Sequence, residues 1–77
     1  MSNTNQELIS LAAKRFNVNE ELLAPEDDFF QKLDINSIQA LELLSEVEMK
    51  FDIEIPDYEL QGVVTFEALA ALIDKRR

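Results

Sequence analysis

The sequence predicts an all-α fold: a small helical bundle of three main helices plus one short helix, with a long loop between the first two main helices. Three observations carry this expectation. Apolar residues recur at the spacing of helix turns. Start and stop signals bracket each such stretch. One Gly and two Pro in 77 residues leave no room for the punctuation of a β-sandwich or a string of hairpins. The length suits one domain over residues 1–77, and a hydrophobic share of 47% is enough to build its core. There is no internal repeat and no low-complexity tract.

The first helix is expected to start near Thr4, because Thr4-Asn5-Gln6-Glu7 fits the capping box S/T-x-x-E. Leu8, Ile9, Leu11, Ala12 and Phe16 then share one face at ~100° per residue. Lys14 and Arg15 suit its C-terminal end, where the helix dipole favours cations. A connection from about Asn17 to Ile35 follows. It holds Val18, Leu22, Leu23, Phe29, Phe30, Leu33 and Ile35, too many apolar groups for a structureless loop. It is expected to pack across the helices, with a helical turn near Asn19–Leu23 or Glu26–Phe30.

The second main helix is expected from Ser37 to Phe51. Asn36 is a good N-cap, and Gln39 completes a box of the form N-x-x-Q. Pro56 biases Ile55 to an extended conformation. A short helical piece over about Asp57–Gln61 ends at Gly62, a candidate left-handed cap. Thr65 caps a last helix over Phe66–Lys75, with the stripe Phe66, Leu69, Ala70, Leu72 and Ile73, and Lys75, Arg76 and Arg77 at its end.

Composition excludes several function classes. Sixteen Asp+Glu against seven Lys+Arg give a net charge of −9 and a pI near 4.2. That balance argues against nucleic acid and against an anionic membrane surface, and for partners with basic patches met through long-range steering. With no Cys and no His, the chain offers no thiolate nucleophile, no imidazole base and no Cys-ligated zinc. Asp27-Asp28 and Asp52-x-Glu54 lack the spacing of a calcium loop, so no metal is expected and most acids are read as a solvated face. The polar start MSNTNQE shows no secretory signal, so a cytoplasmic protein is expected. A pair of catalytic carboxylates needs a cleft that so small a bundle scarcely offers. No enzymatic activity is therefore expected.

The second main helix is the most informative element. Ala40, Leu43, Leu44, Val47 and Phe51 cluster within an arc of about 100° and form a core face. Ile38, Leu41 and Met49 fall on the other side, among Glu42, Ser45 and Glu48. Apolar groups mixed with acids are what a helical docking surface looks like; alternatively, the 17–35 connection covers Ile38 and Leu41. Ser37 opens the helix. A hydroxyl there is well placed to carry a phosphate or phosphodiester, because the helix N-terminus stabilises negative charge. The other reading of Ser37 is an ordinary capping or first-turn serine.

The segment Leu33-Asp34-Ile35-Asn36-Ser37-Ile38-Gln39-Ala40-Leu41-Glu42-Leu43-Leu44, followed by Phe51-Asp52-Ile53-Glu54-Ile55-Pro56-Asp57, resembles acyl carrier proteins. That family has the motif D-S-L at the start of its second helix, which ends in F-D-x-x-I-P. The length, acidity, element order and Asp27-Asp28-Phe29-Phe30 stretch also agree. The resemblance implies an acyl-carrier-like fold in which Ser37 carries 4′-phosphopantetheine, joined from coenzyme A by a phosphopantetheinyl transferase. It implies that acyl groups ride on the cofactor's thiol as thioesters and are presented to acyl-transferring and condensing enzymes of fatty-acid, polyketide or related biosynthesis. By the same resemblance, Phe30, Leu44, Val47, Phe51, Ile55, Val63 and Leu69 correspond to residues lining an acyl-chain cavity; ordinary core packing is the alternative for each.

Asn36 stands where the family has Asp, and Asp34-Ile35 replaces a Gly-containing turn, which suggests a specialised carrier. Asp34, Asn36, Ile38, Gln39, Leu41, Glu42, Glu48 and Met49 are expected to form the partner surface, with weak, salt-sensitive binding. A monomer is expected. Two other readings stand beside this one: an unmodified interaction module with a carrier-like fold, and an aminoacyl or peptidyl carrier.

Overall fold

The computed structural model describes residues 3–76, so Arg77, the last of the three expected C-terminal cations, lies outside the described residues. The element order is α1 (Thr4–Phe16), a 3-10 turn (Glu20–Leu22), α2 (Phe29–Leu33), α3 (Ser37–Phe51), a 3-10 helix (Asp57–Leu60) and α4 (Phe66–Arg76). Three long helices and short helical pieces thus make the bundle that the sequence predicts. The second main helix of the sequence is α3. No helix among the described residues is long and apolar enough to cross a membrane.

The apolar stripes meet in one core. Leu8, Ala12, Val47, Phe66 and Ile73 are each 0% exposed, and full burial of a large apolar side chain contributes about 1.5–3 kcal/mol. α1 packs most extensively on α4. α1 starts at Thr4, as the sequence predicts, but Thr4 is not its cap. Asn3 occupies the cap position and no side chain closes it. Thr4 lies within the first turn, buried, and its hydroxyl donates to the Asp74 carboxylate of α4. A buried hydroxyl needs a partner, and the facing helix supplies one.

The 17–35 connection packs across the helices. The Asn19 side chain accepts from Glu21 N at 3.0 Å and opens the first turn. Leu23 is buried there, but Leu22 points out and stays exposed, contrary to the expectation that all of this segment's large apolar groups leave water. The second turn sits later than Glu26–Phe30. Asp28 caps α2, its Oδ1 accepting from Phe30 N at 2.8 Å and Gln31 N at 3.2 Å. Asp27 turns back to Ala24 N at 2.9 Å. The acidic run therefore caps and bends the chain before the helix instead of lying inside its first turn.

The same connection completes α4. Phe66 N donates to Asp27 O at 3.4 Å, Glu67 N to Pro25 O at 2.7 Å, and Ala68 N to Thr65 Oγ1 at 3.2 Å. These bonds satisfy N–H groups that a helix start leaves unpaired. α1, α2 and α3 all end on left-handed residues that are not Gly: Asn17, Asp34 and Asp52 at φ 56°, 53° and 55°. Beyond α3, Ile55 is buried before Pro56, and Gly62 turns the chain at φ 79°. Glu59 pairs with Lys75 at 3.3 Å and with Arg76, tying the second 3-10 helix to the end of α4.

Candidate functional site

Ser37 is positioned by a short chain of local decisions. Asp34 ends α2 in the left-handed region. Ile35 N bonds back to Phe30 O at 3.2 Å and anchors the turn. Asn36 is extended and closes a reciprocal box with Gln39: Gln39 N donates to Asn36 Oδ1 at 2.9 Å, and Asn36 N to Gln39 Oε1 at 3.1 Å. α3 then begins at Ser37, which is exposed. Capping is done by Asn36 and Gln39, so the serine hydroxyl is displayed at the helix start without serving as its cap. An anionic substituent there sits at the positive end of the helix dipole.

Beside Ser37 lies a cavity of about 220 Å³ lined by Phe29, Phe30, Ser37, Ala40, Leu41, Leu43, Leu44, Leu60, Val63 and Leu69. Ser37 is the one polar residue among them. Of the residues that the resemblance assigned to an acyl cavity, Phe30, Leu44, Val63 and Leu69 border this space. Val47, Phe51 and Ile55 do not line this space. Val47 and Phe51 lie one and two turns further along α3, and Ile55 is buried in the segment beyond its end. The core face of α3 is longer than the cavity it borders.

Phe29, Ala40, Leu43 and Leu60 complete the wall and were not expected as cavity residues. Ala40 carried a usable signal: it is the smallest side chain on an otherwise bulky core face, and a small residue facing large ones leaves volume unfilled. Phe29 is fixed by its neighbours, with ring centroids 4.8 Å from Phe30 and 5.8 Å from Phe66. A larger hollow of about 350 Å³ runs beside α1, bounded by Asn3, Gln6, Glu7, Ser10, Leu11, Lys14, Glu20 and Lys50. It shares no residue with the apolar cavity, and its walls are largely polar and charged.

On the outer face of α3, Ile38 is 71%, Leu41 53% and Met49 76% exposed. The 17–35 connection does not cover them. Leu41 reaches both ways, since it also borders the cavity. The acids of α3 are less available than the sequence suggests. Glu42 meets Arg15 Nη2 at 3.4 Å, and Glu46 meets Arg15 Nε at 2.9 Å. Glu48 Oε2 accepts from Ile55 N at 2.9 Å, so this carboxylate braces the segment after α3. Of the other expected surface residues, Asp34 and Asn36 are exposed and Gln39 is half-buried in the cap.

A small helical bundle with an exposed hydroxyl at a helix start beside an apolar cavity is the arrangement on which the comparisons bear. Residues 6–73 match the family model described as a phosphopantetheine attachment site. Over 62 residues the chain is 36% identical to an acyl carrier protein of Rubrobacter xylanophilus, covering 80% of this chain and 76% of that one. Over 71 residues it is 27% identical to an acyl carrier protein of Chlorobium phaeobacteroides, covering 92% and 91% of the two chains. The chain belongs to the acyl carrier protein family, whose covalent cofactor is 4′-phosphopantetheine.

Proposed function

We propose that Ser37 is the attachment residue and that the protein carries acyl groups as thioesters for enzymes of fatty-acid, polyketide or related biosynthesis. The cofactor supplies the terminal thiol that a chain without Cys lacks. The chain's own residues do the rest. The Ser37 hydroxyl supplies the oxygen of the phosphodiester, and the N–H groups of the first turn of α3 offset its charge. The carrying observation is the placement of Ser37, exposed and excused from capping, at the rim of the apolar cavity.

The cavity favours acyl over aminoacyl cargo. An ammonium group among Phe30, Leu44, Val63 and Leu69 would lose its hydration with no polar partner but Ser37. The partner surface is the start of α3 and its outer face: Asp34, Asn36, Ile38, Gln39, Leu41, Glu42 and Met49. Glu48 contributes by holding the Ile55 backbone. The partners are a phosphopantetheinyl transferase and the acyl-transferring and condensing enzymes that follow it.

Intact-mass measurement tests the reading. Incubated with coenzyme A and a broad-specificity transferase, the protein should gain one phosphopantetheinyl group, and Ser37→Ala should gain none. No gain with several transferases would overturn the carrier reading and favour an unmodified interaction module, which the neutral Asn36 before Ser37 would suit.

A further inference from the structure

All three acids of α3 have internal partners, whereas its large outward apolar side chains are exposed. Arg15 engages two of those acids. Glu42 and Glu46 are four residues apart on one helix face, so a single planar guanidinium can span both. Its Nε lies 2.9 Å from Glu46 and its Nη2 3.4 Å from Glu42. The Arg15 guanidinium carbon also sits 5.6 Å from the Phe16 ring centroid, and the C-terminal turn of α1 favours a cation electrostatically.

We infer that Arg15 is an internal latch that competes with a partner's basic side chain for Glu42 and Glu46, and so sets how much charge contributes to docking on α3. The inference rests on the reading of the outer face of α3 as the partner surface. The Arg15 and Glu42 side chains are 36% and 52% exposed, so the pair is weak enough to be displaced. A lysine or arginine approaching Glu42 must either displace Arg15 or meet a carboxylate already neutralised. Ile38, Leu41 and Met49 require no such displacement. Docking on this face is therefore carried mainly by apolar contact, and its salt dependence is shallower than a chain of net charge −9 would suggest. Lys14 is the natural control: it has the same charge and adjoins Arg15, but forms no ion pair among the described residues.

The test is transferase loading of the wild type, Arg15→Gln, Lys14→Gln, Glu42→Gln and the double variant Arg15→Gln/Glu42→Gln, at low and raised NaCl. Relative to Lys14→Gln, Arg15→Gln should raise kcat/KM about two- to fivefold at low salt, the scale of an exposed ion pair. The gain should appear in KM, the fall with salt should steepen, and the double variant should lose the gain. Glu42→Gln alone should change loading less than the double variant's loss implies, because Arg15 already occupies that acid. Equal rates and salt slopes for Arg15→Gln and Lys14→Gln would overturn the latch. A separate readout is the nuclear Overhauser effect from Arg15 to the Glu42 and Glu46 side chains in the unmodified protein. Its absence overturns the contact whatever loading shows. Failure of every variant to load, with these effects present, instead overturns the carrier reading and with it the role given to the latch.

Discussion

The α1–α4 interface and the space between α2, α3 and residues 57–63 are built from the same kinds of side chain, yet they end in opposite states. At the first, Leu8, Ala12 and Ile73 are all 0% exposed, and the Thr4–Asp74 bond links the two helices. At the second, Phe29, Phe30, Leu44, Leu60, Val63 and Leu69 leave about 220 Å³ unfilled next to Ser37. A sealed void costs roughly 24 cal/mol per Å³, so a closed space of this size would cost several kcal/mol; opening at the Ser37 rim lowers that cost. Packing is thus dense on one side and loose on the other.

The largest expected contrast is functional. Ser37→Ala should abolish cofactor loading while leaving the unfolding free energy within about 0.5 kcal/mol, as for other exposed positions outside a cap. Mass spectrometry and urea denaturation check the two halves of that statement. Next comes packing. Leu8→Ala, on the tight side, should cost about 2–5 kcal/mol. Leu60→Ala, beside existing empty space, should cost less than half as much, because it creates little new surface without partners. Equal losses would mean that the two sides are packed alike.

Filling the cavity should work in the other direction. Ala40→Leu should stabilise the unloaded protein by about 0.5–2 kcal/mol and reduce protection of a bound acyl thioester from hydrolysis. A loss of stability would show that the space is not available to a side chain. The smallest effects concern the left-handed caps. Asp52→Gly should gain about 1 kcal/mol, since Gly relieves a positive φ of 55° and removes a negative charge from a helix C-terminus. Asp34→Gly should gain a similar amount, but beside Ser37 it should also slow loading. Unchanged loading would remove Asp34 from the partner surface.

Much of this was legible in the residues. The bounds of α3 followed from the Asn36–Gln39 box at its start and from Pro56, which biases Ile55 to extended backbone beyond its end, because capping and proline geometry are local chemistry and need no knowledge of the rest of the fold. The exposure of Ile38, Leu41 and Met49 followed from helical periodicity. What failed was tertiary. Thr4 read as a cap because its sequence neighbours fit one, and only the approach of Asp74 across 70 positions decides otherwise. Val47, Phe51 and Ile55 were assigned to the cavity by resemblance and do not border the space beside Ser37, because a resemblance carries over a position but not the packing around it. Glu42 and Glu48 read as available acids because nothing local to α3 shows Arg15 or the Ile55 N–H arriving from elsewhere in the chain.

The most direct test of the division between the two sides is a methyl NMR comparison of the protein carrying a saturated octanoyl thioester with the cofactor-loaded but unacylated form. The account predicts shifts and chain-to-methyl nuclear Overhauser effects at Leu44, Leu60, Val63 and Leu69, with Leu8, Ala12 and Ile73 unmoved. Shifts centred on the α1–α4 methyls, or none at the cavity methyls, would contradict it.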